Sequence, residues 1–385
     1  KKGPFVDAKL LKKVEKMEEA GVDVEDDEAV QHWNEGERAD LMKRVRALAE
    51  EMRPGIGVFF NSCLRVGKKD WLEHYTHLEI ESLPTGGWGY AHFPLFQRYF
   101  RNFGKETMGM TARFHRTWGD FGGLKNPAAL EFECFSMLAG GARCSVGDQL
   151  HPRGKLDTDV YDLIGDVYES VERKEPWCVD ADHIAQVAVM RDDGLEKGVG
   201  GAVRALLESH ELFDVVDTDG NLWPYEVVLI PDGIRLDDAL EGRLRRFVEK
   251  GGSLIICGES GLATDHDEFA MPEIGVSYGE PAEYDPNFLC QVADEIGIGV
   301  RDFHYMMYEG GHYVKAQDGA EVMARIGKPY FNRSWQHYCS HGPTPFDETT
   351  DHPAIVRNGN IIYFAHPIFR LYADQGARVY RQLIE

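Results

Sequence analysis

Over the first 173 of its 385 residues the chain alternates between β and α periodicity, with five predicted strands. The predicted strands are a short stub at Pro4–Asp7, then Ile56–Asn61, His77–Glu81, Thr107–His115 and Ala142–Asp148. Predicted helices follow them: largely charged material from Ala8 that becomes amphipathic over Leu41–Met52, then Pro94–Phe103, Pro127–Ala139 and Asp159–Arg173. The continuous apolar composition of Ile56–Asn61 suits a strand buried on both faces of a parallel sheet. Nearly every strand ends on a charged or polar tip: Asp7, Asn61, Glu81, Arg113 with His115, and Asp148. Side chains from successive strand ends converge on one mouth in a (β/α) barrel. Five units do not close such a barrel, and an open parallel sheet leaves an edge unpaired. Residues 1–179 are therefore expected to be the C-terminal part of a (β/α)8 barrel whose N-terminal part is missing from this chain.

The stretch His77–Tyr90, HLEIESLPTGGWGY, is the most informative within that frame. Strict alternation puts His77, Glu79 and Glu81 on one face and Leu78 with Ile80 on the other. Two carboxylates on one side of a strand repel each other and resist desolvation unless the face lines something wet, such as a cleft. Pro84, Gly86 and Gly87 then stop the strand and deliver Trp88 and Tyr90, flat amphipathic rings suited to stacking on a ligand. Carboxylates at a strand end beside loop aromatics point to a sugar-processing site. A salt-bridged strand followed by a core aromatic is the alternative.

Thr111–Lys125, TARFHRTWGDFGGLK, concentrates polar and aromatic groups in a strand end and glycine-rich loop with few aliphatic residues to bury. Met108, Met110, Ala112 and Phe114 form its apolar face. Arg113 and His115 are placed to hydrogen-bond sugar hydroxyls, Trp118 offers a stacking face, and Asp120 is either a ligand or a cap for the glycine turn. Asp148, Gln149 and His151 crowd polar groups at the next strand tip. Glycoside hydrolysis needs two carboxyl groups. Glu79 and Glu81 are too alike in position to be that pair alone, so a partner from another strand is expected. Asp7 or Asp148 is that partner, although Asp7 equally suits the N-cap of the helix beginning at Ala8.

From Asp180 the rhythm restarts. Strands are expected at Ile184–Met190, Phe213–Val216, Tyr225–Pro231, Leu254–Cys257 and Ile361–Ala365, and helices over Gly201–Ser209, Asp238–Lys250 and Tyr372–Ile384. This is a doubly wound α/β domain over 180–385, of flavodoxin or amidotransferase type, interrupted by an insertion with some β structure at about 264–350. Cys257 in IICGESGL stands where such domains place a nucleophile, but the preceding glycine of an elbow is absent, so it reads as a buried strand residue. His337, Cys339 and His341 would share a strand face able to hold zinc, but no fourth ligand is apparent; they are alternatively placed to reach a neighbouring active site. No metal or other cofactor is expected.

The formal net charge of −23 argues against nucleic-acid or anionic-membrane partners. No apolar run approaches the ~20 residues needed to cross a bilayer. Seven scattered cysteines without CxxC pairs fit reduced thiols, hence a cytoplasmic location.

The motifs HLEIESLPTGGWGY, GMTARFHRTWGDFGGLK and CSVGDQLHPRGKLDTDVYDLIGDVYESVERKEPW together resemble the glycosidase-like barrel family that includes a group of α-L-fucosidases. YEVVLIPDGIRL and FVEKGGSLIICGESGL resemble the β-galactosidase trimerisation domain, an amidotransferase-like fold without its catalytic cysteine. The resemblance implies a retaining exo-glycosidase acting on a carbohydrate substrate and assembled as a homo-oligomer, expected to be a trimer. It further implies Asp7 as nucleophile and Glu81 or Glu79 as acid/base. Another exo-glycosidase, such as a β-galactosidase, and a carbohydrate-binding or scaffold protein without catalysis are the rival expectations.

Overall fold

The computed structural model describes residues 8–62, 64–193 and 196–385. The predicted Pro4–Asp7 stub, Asp7 included, lies outside them. The first described elements are helices α1 (Ala8–Glu19) and α2 (Asp27–Met52). Asp26 caps α2 by accepting from the backbone N–H groups of Glu28 and Ala29, so this helix begins well before the amphipathic stretch that announces it. Ile56–Phe60 is not a ladder strand, and its residues are at most half-buried. Its contact with the next strand's entry runs through Thr76, whose N–H reaches the Val58 carbonyl at 3.0 Å.

Three parallel strands follow: β1 (Leu78–Glu81), β2 (Thr107–Ala112) and β3 (Arg143–Gly147), paired in the order β1-β2-β3. Helix α3 (His92–Phe100) connects the first two and α4 (Pro127–Ala139) the second pair, while α5 (Thr158–Glu172) and the short α6 (Glu175–Cys178) complete this half. Among the described residues the sheet closes no barrel. Leu78 and Ile80 are fully buried, and the register aligns them with Thr107 and Gly109, so these four residues share the face covered by helices. Glu79 and Glu81 align with Met108 and Met110 on the opposite, half-exposed face. The expected apolar face of β2 is thus inverted. Thr107 and Thr111 are buried while the methionines are not, because the space beneath the helices is narrow: a side chain at Gly109 would strike Met137 and Phe93.

The second half contains a nine-stranded sheet built from β4 (Val187–Arg191), β5 (Phe213–Asp217), β6 (Val227–Ile230), β7 (Ser253–Cys257), β9 (Asn287–Cys290), β10 (Tyr305–Met307), β12 (Glu321–Pro329), β13 (Phe346–Asn358) and β14 (Ile361–Phe364). Strands β8 (Val276–Pro281) and β11 (His312–Ala316) form a separate antiparallel pair. Helices α7 (Glu196–Glu208), α8 (Asp238–Glu249), α9 (Ile368–Gln375) and α10 (Arg378–Ile384) pack with it. The order is β10-β9-β12-β13-β14-β7-β6-β4-β5, parallel from β14 to β5 and antiparallel beyond. From β4 the chain steps to β5 on one side and then to β6 and β7 on the other, leaving a reversal point in the sheet. The stretch expected as an insertion therefore extends the main sheet in large part. The expected closing helix is two helices, broken where Gly376 adopts φ +58°, a left-handed conformation that ends α9.

One seam joins the halves. Strand β5 is the outer strand of the large sheet, and its free carbonyls are met from the first half: Arg101 donates to Phe213 O at 2.9 Å and Asn102 to Val215 O at 3.1 Å. Beside them Arg101 Nε donates to Asp214 at 2.6 Å and Tyr99 to Asp217 at 2.8 Å, and the Arg98 guanidinium covers the Phe213 ring. Asp214, only 2% exposed, also accepts from Tyr225. Replacing Asp214 with alanine leaves the Arg101 charge without its buried partner, and a loss of about 3 kcal/mol in unfolding free energy is expected. Thermal and denaturant unfolding followed by circular dichroism measure it.

Candidate active-site cleft

The exposed face of β1 opens into a cleft of about 360 Å³, lined by Glu79 and Glu81 together with Phe59, Asn61, Trp88 and His92. The period-two pleat puts both carboxylates there once Leu78 and Ile80 are buried. Burial pushes the Glu79 carboxyl up from its ordinary range; nearby His77 opposes this and Glu81 adds like-charge repulsion in the same direction. His77 shares the face, its ring 5.6 Å from that of Phe59 and its Nδ1 3.1 Å from Thr76 Oγ1. His92 stacks on Phe96 at 4.2 Å, meets Trp88 edge-on at 5.0 Å and hydrogen-bonds Ser82 Oγ at 3.1 Å. Its burial lowers the imidazole to about 4, so at neutral pH it is an uncharged ring supporting Trp88. Nothing in the sequence marks this role except its position two residues after Tyr90.

The loop after β1 sends its two aromatics in opposite directions. Gly87 and Gly89 both adopt positive φ, which turns the chain on either side of Trp88. Trp88, 44% exposed, faces the carboxylate cleft. Tyr90 does not: it packs edge-on against Phe132 of α4 at 5.5 Å, and its phenol is pushed up by burial and by the Glu133 carboxylate.

The glycine-rich loop after β2 is held from within. Arg113 is 4% exposed, and its donors go to Asp148 at 2.9 Å and the Phe121 carbonyl at 3.0 Å, with its guanidinium over the Phe114 ring. Expected as a sugar ligand, Arg113 instead locks the loop, and Asp148 is its counter-ion rather than a free acid; Asp148 also caps the Gln149 N–H. Strand β2 ends at Ala112, so Arg113 and His115 do not continue its face. His115 and Gln149 are exposed, and His151 packs edge-on against Phe121. The Trp118 ring packs against Phe114, closely enough over Gly147 that a side chain there would strike it. The Asp120 carboxyl lies against Gly123, consistent with the capping alternative. These groups stabilise a mouth-side loop, whereas the residues lining the cleft come from β1, Met110 of β2, the Trp88 turn, α3 and the stretch from Phe59 to Arg65.

A buried ion pair escaped the sequence reading. Lys125 donates to Glu133 at 2.6 Å and to Thr111 Oγ1 at 2.8 Å, and the Thr111 hydroxyl also donates to Glu133. All three side chains are buried behind β2. The i to i+8 spacing across a helix start and the polar Thr111 amid an apolar strand were its only signals. Lys125→Met leaves the carboxylate buried and unpaired, with an expected cost of about 3–5 kcal/mol, whereas Lys125→Met combined with Glu133→Leu should recover most of it; chemical denaturation of both variants tests this. In the cleft, Glu81→Gln removes a like charge and should lower the Glu79 pKa, and His77→Ala should raise it, as read by carboxyl-carbon NMR titration.

In the second half Cys257 is fully buried at the end of β7 and donates to Asp232 at 2.9 Å; burial pushes its thiol well up, which disfavours a thiolate nucleophile. His337, Cys339 and His341 lie in a loop rather than on a strand face, with the Cys339 thiol donating to the His341 carbonyl at 2.6 Å. Among the described residues no group of three or more potential ligands gathers to hold a metal, and no helix is long and apolar enough to cross a membrane.

Residues 203–385 match the family described as the β-galactosidase trimerisation domain. No match was found among curated proteins. Among solved structures, α-L-fucosidase isoenzyme 2 from Paenibacillus thiaminolyticus is similar at 36% identity with a TM-score of 0.90, over 96% of this chain and 58% of that one. The β-galactosidase from Bacillus circulans sp. alkalophilus is similar at 17% identity and a TM-score of 0.60, over 80% of this chain and 51% of that one. A β-galactosidase from the Antarctic haloarchaeon Halorubrum lacusprofundi is similar at 14% identity and a TM-score of 0.61, over 91% and 59%. At these identities the two β-galactosidases share the fold alone. The chain spans between half and three-fifths of the length of these three structures. The trimerisation-domain match in its second half and the similarity of nearly its whole length to an α-L-fucosidase are consistent with a glycosidase-like family.

Proposed function

We propose that this chain is a large part of a retaining exo-glycosidase acting on α-L-fucosides, with Glu79 or Glu81 as acid/base and Asp7 as nucleophile. The observation that carries the reading is one cleft holding a half-buried Glu79, biased toward its protonated form by burial and by Glu81, beside the exposed ring of Trp88. A proton donor for a leaving sugar oxygen needs that bias, and a flat ring beside it supplies the stacking surface a pyranose uses. The 36% identity with an α-L-fucosidase over 96% of this chain favours fucose as the sugar. The proposal includes further βα units that complete the barrel, since β1 and β3 each have a single ladder neighbour among the described residues. It also includes a homotrimer built through residues 203–385, supported by the family matched there. A cytoplasmic setting goes with the six free thiols among the described cysteines.

The test is to make Asp7→Asn, Glu79→Gln and Glu81→Gln singly in the intact protein and assay nitrophenyl α-L-fucoside and β-D-galactoside. Loss of fucoside turnover by roughly 10²–10⁴-fold in Asp7→Asn and in one glutamate variant is expected. Full activity in all three removes the assignment. Preferential cleavage of the galactoside moves the enzyme to the β-galactosidases, and sugar binding without turnover in the unmodified protein identifies a binding module instead.

A further inference from the structure

Three of the six described cysteines, Cys134, Cys144 and Cys178, share one apolar cluster formed by α4, β3, α5 and α6. Strand register brings the first two together. Cys144 of β3 aligns with Gly109 of β2, where a side chain would strike Met137 of α4. Cys144 therefore points beneath the same helix, which buries Cys134 completely. The Cys144 Sγ donates to the Cys134 carbonyl at 3.2 Å, and the two thiols also hydrogen-bond each other. They come from positions only ten residues apart, one on a helix and the other on the strand that follows it.

The two thiols differ in access. Cys134 is shielded, whereas Cys144 is half-buried on β3, a strand with a single ladder neighbour among the described residues. The Cys134 thiol holds Cys144 below its ordinary range, against burial and the Glu175 carboxylate, while Cys144 and burial push Cys134 up. The thiolate is the nucleophilic form of cysteine, so the member that solvent reaches is also the more reactive one. A buried cysteine ordinarily acts as a small apolar side chain. That role accounts for Cys134 alone, but not for a half-buried second thiol turned into hydrogen-bond contact with it.

We propose that Cys144 and Cys134 are a redox pair that a peroxide closes to a disulfide, joining β3 to α4. The Cys144 thiolate attacks one peroxide oxygen and the O–O bond breaks. The departing hydroxide takes up the proton that Cys144 released, giving water and a Cys144 sulfenic acid. The Cys134 sulfur then attacks the Cys144 sulfur, the S–O bond breaks, and hydroxide leaves with the Cys134 proton as a second water. The thiols give up two electrons and the peroxide accepts them; a dithiol reverses the bond by exchange. At the tip of β3, Asp148 anchors Arg113, so the bond forms on the strand that holds the glycine-rich loop. The pair lies outside the Glu79 cleft and does not depend on the glycosidase reading.

Peptide mapping of the full chain after hydrogen peroxide and alkylation tests the pair. Tryptic cleavage after Arg143 separates the two cysteines, so the disulfide appears as a link between peptides 126–143 and 144–153 that dithiothreitol releases. Most chains should carry that link, and Cys178→Ala should leave it unchanged. With the resolving thiol removed in Cys134→Ala, Cys144 should stop at the sulfenic acid and be trapped as its dimedone adduct. The map of the unmodified protein decides the matter even where Cys134→Ala fails to fold. A link from Cys144 to Cys178 instead, oxidation of Cys144 past the sulfenic acid without any link, or both thiols still alkylated after peroxide overturns the proposal.

Discussion

The pleat of one four-residue strand fixes the first half of the molecule. Because Leu78 and Ile80 must lie beneath helices, Glu79 and Glu81 are forced onto the open face, and parallel pairing brings Met108 and Met110 to the same side. A slip of one residue would drive two carboxylates under α3 and α4, where no partner awaits them. The cleft is thus a by-product of core burial, and its acidity follows from the same parity that secures the sheet. The turn after β1 adds direction: two left-handed glycines flank Trp88, leaving that ring at the carboxylates while Tyr90 leans away against α4.

How far this was legible in the sequence depended on whether hydrophobicity alone decided each position. In β1 it did, since every second residue is aliphatic. In β2 it did not. Close helix packing at Gly109 and the Lys125–Glu133 pair reaching Thr111 make the small and polar residues the buried ones, and Met110 lines the cleft. Arg113 looked like a ligand because arginines on glycine loops commonly are, but Asp148, thirty-five residues later, neutralises it in the interior. Such long-range charge pairing leaves no periodic trace. Apolar composition misled at Ile56–Asn61, where an extended segment contacts the sheet entry without joining the ladder.

In the second half, parallel strands announced themselves by continuous Val, Ile and Leu runs. The antiparallel strands between 264 and 350 were less visible, since bulges in the pairing of β12 with β13 disturb the alternation that marks a strand. Each half opens a cavity that carries carboxylates, in a chain with a formal net charge of −23.

The seam at β5 bears on how the protein can be taken apart. The outer strand of the large sheet is shielded by Arg101 and Asn102, which borrow its unpaired carbonyls from across the junction. Cutting the chain between Cys178 and Val187 would not release a self-sufficient second half. It would uncover a ready template for strand addition, and the excised piece would tend toward edge-to-edge stacking and fibre formation. The first half thus covers an edge that the second half leaves open.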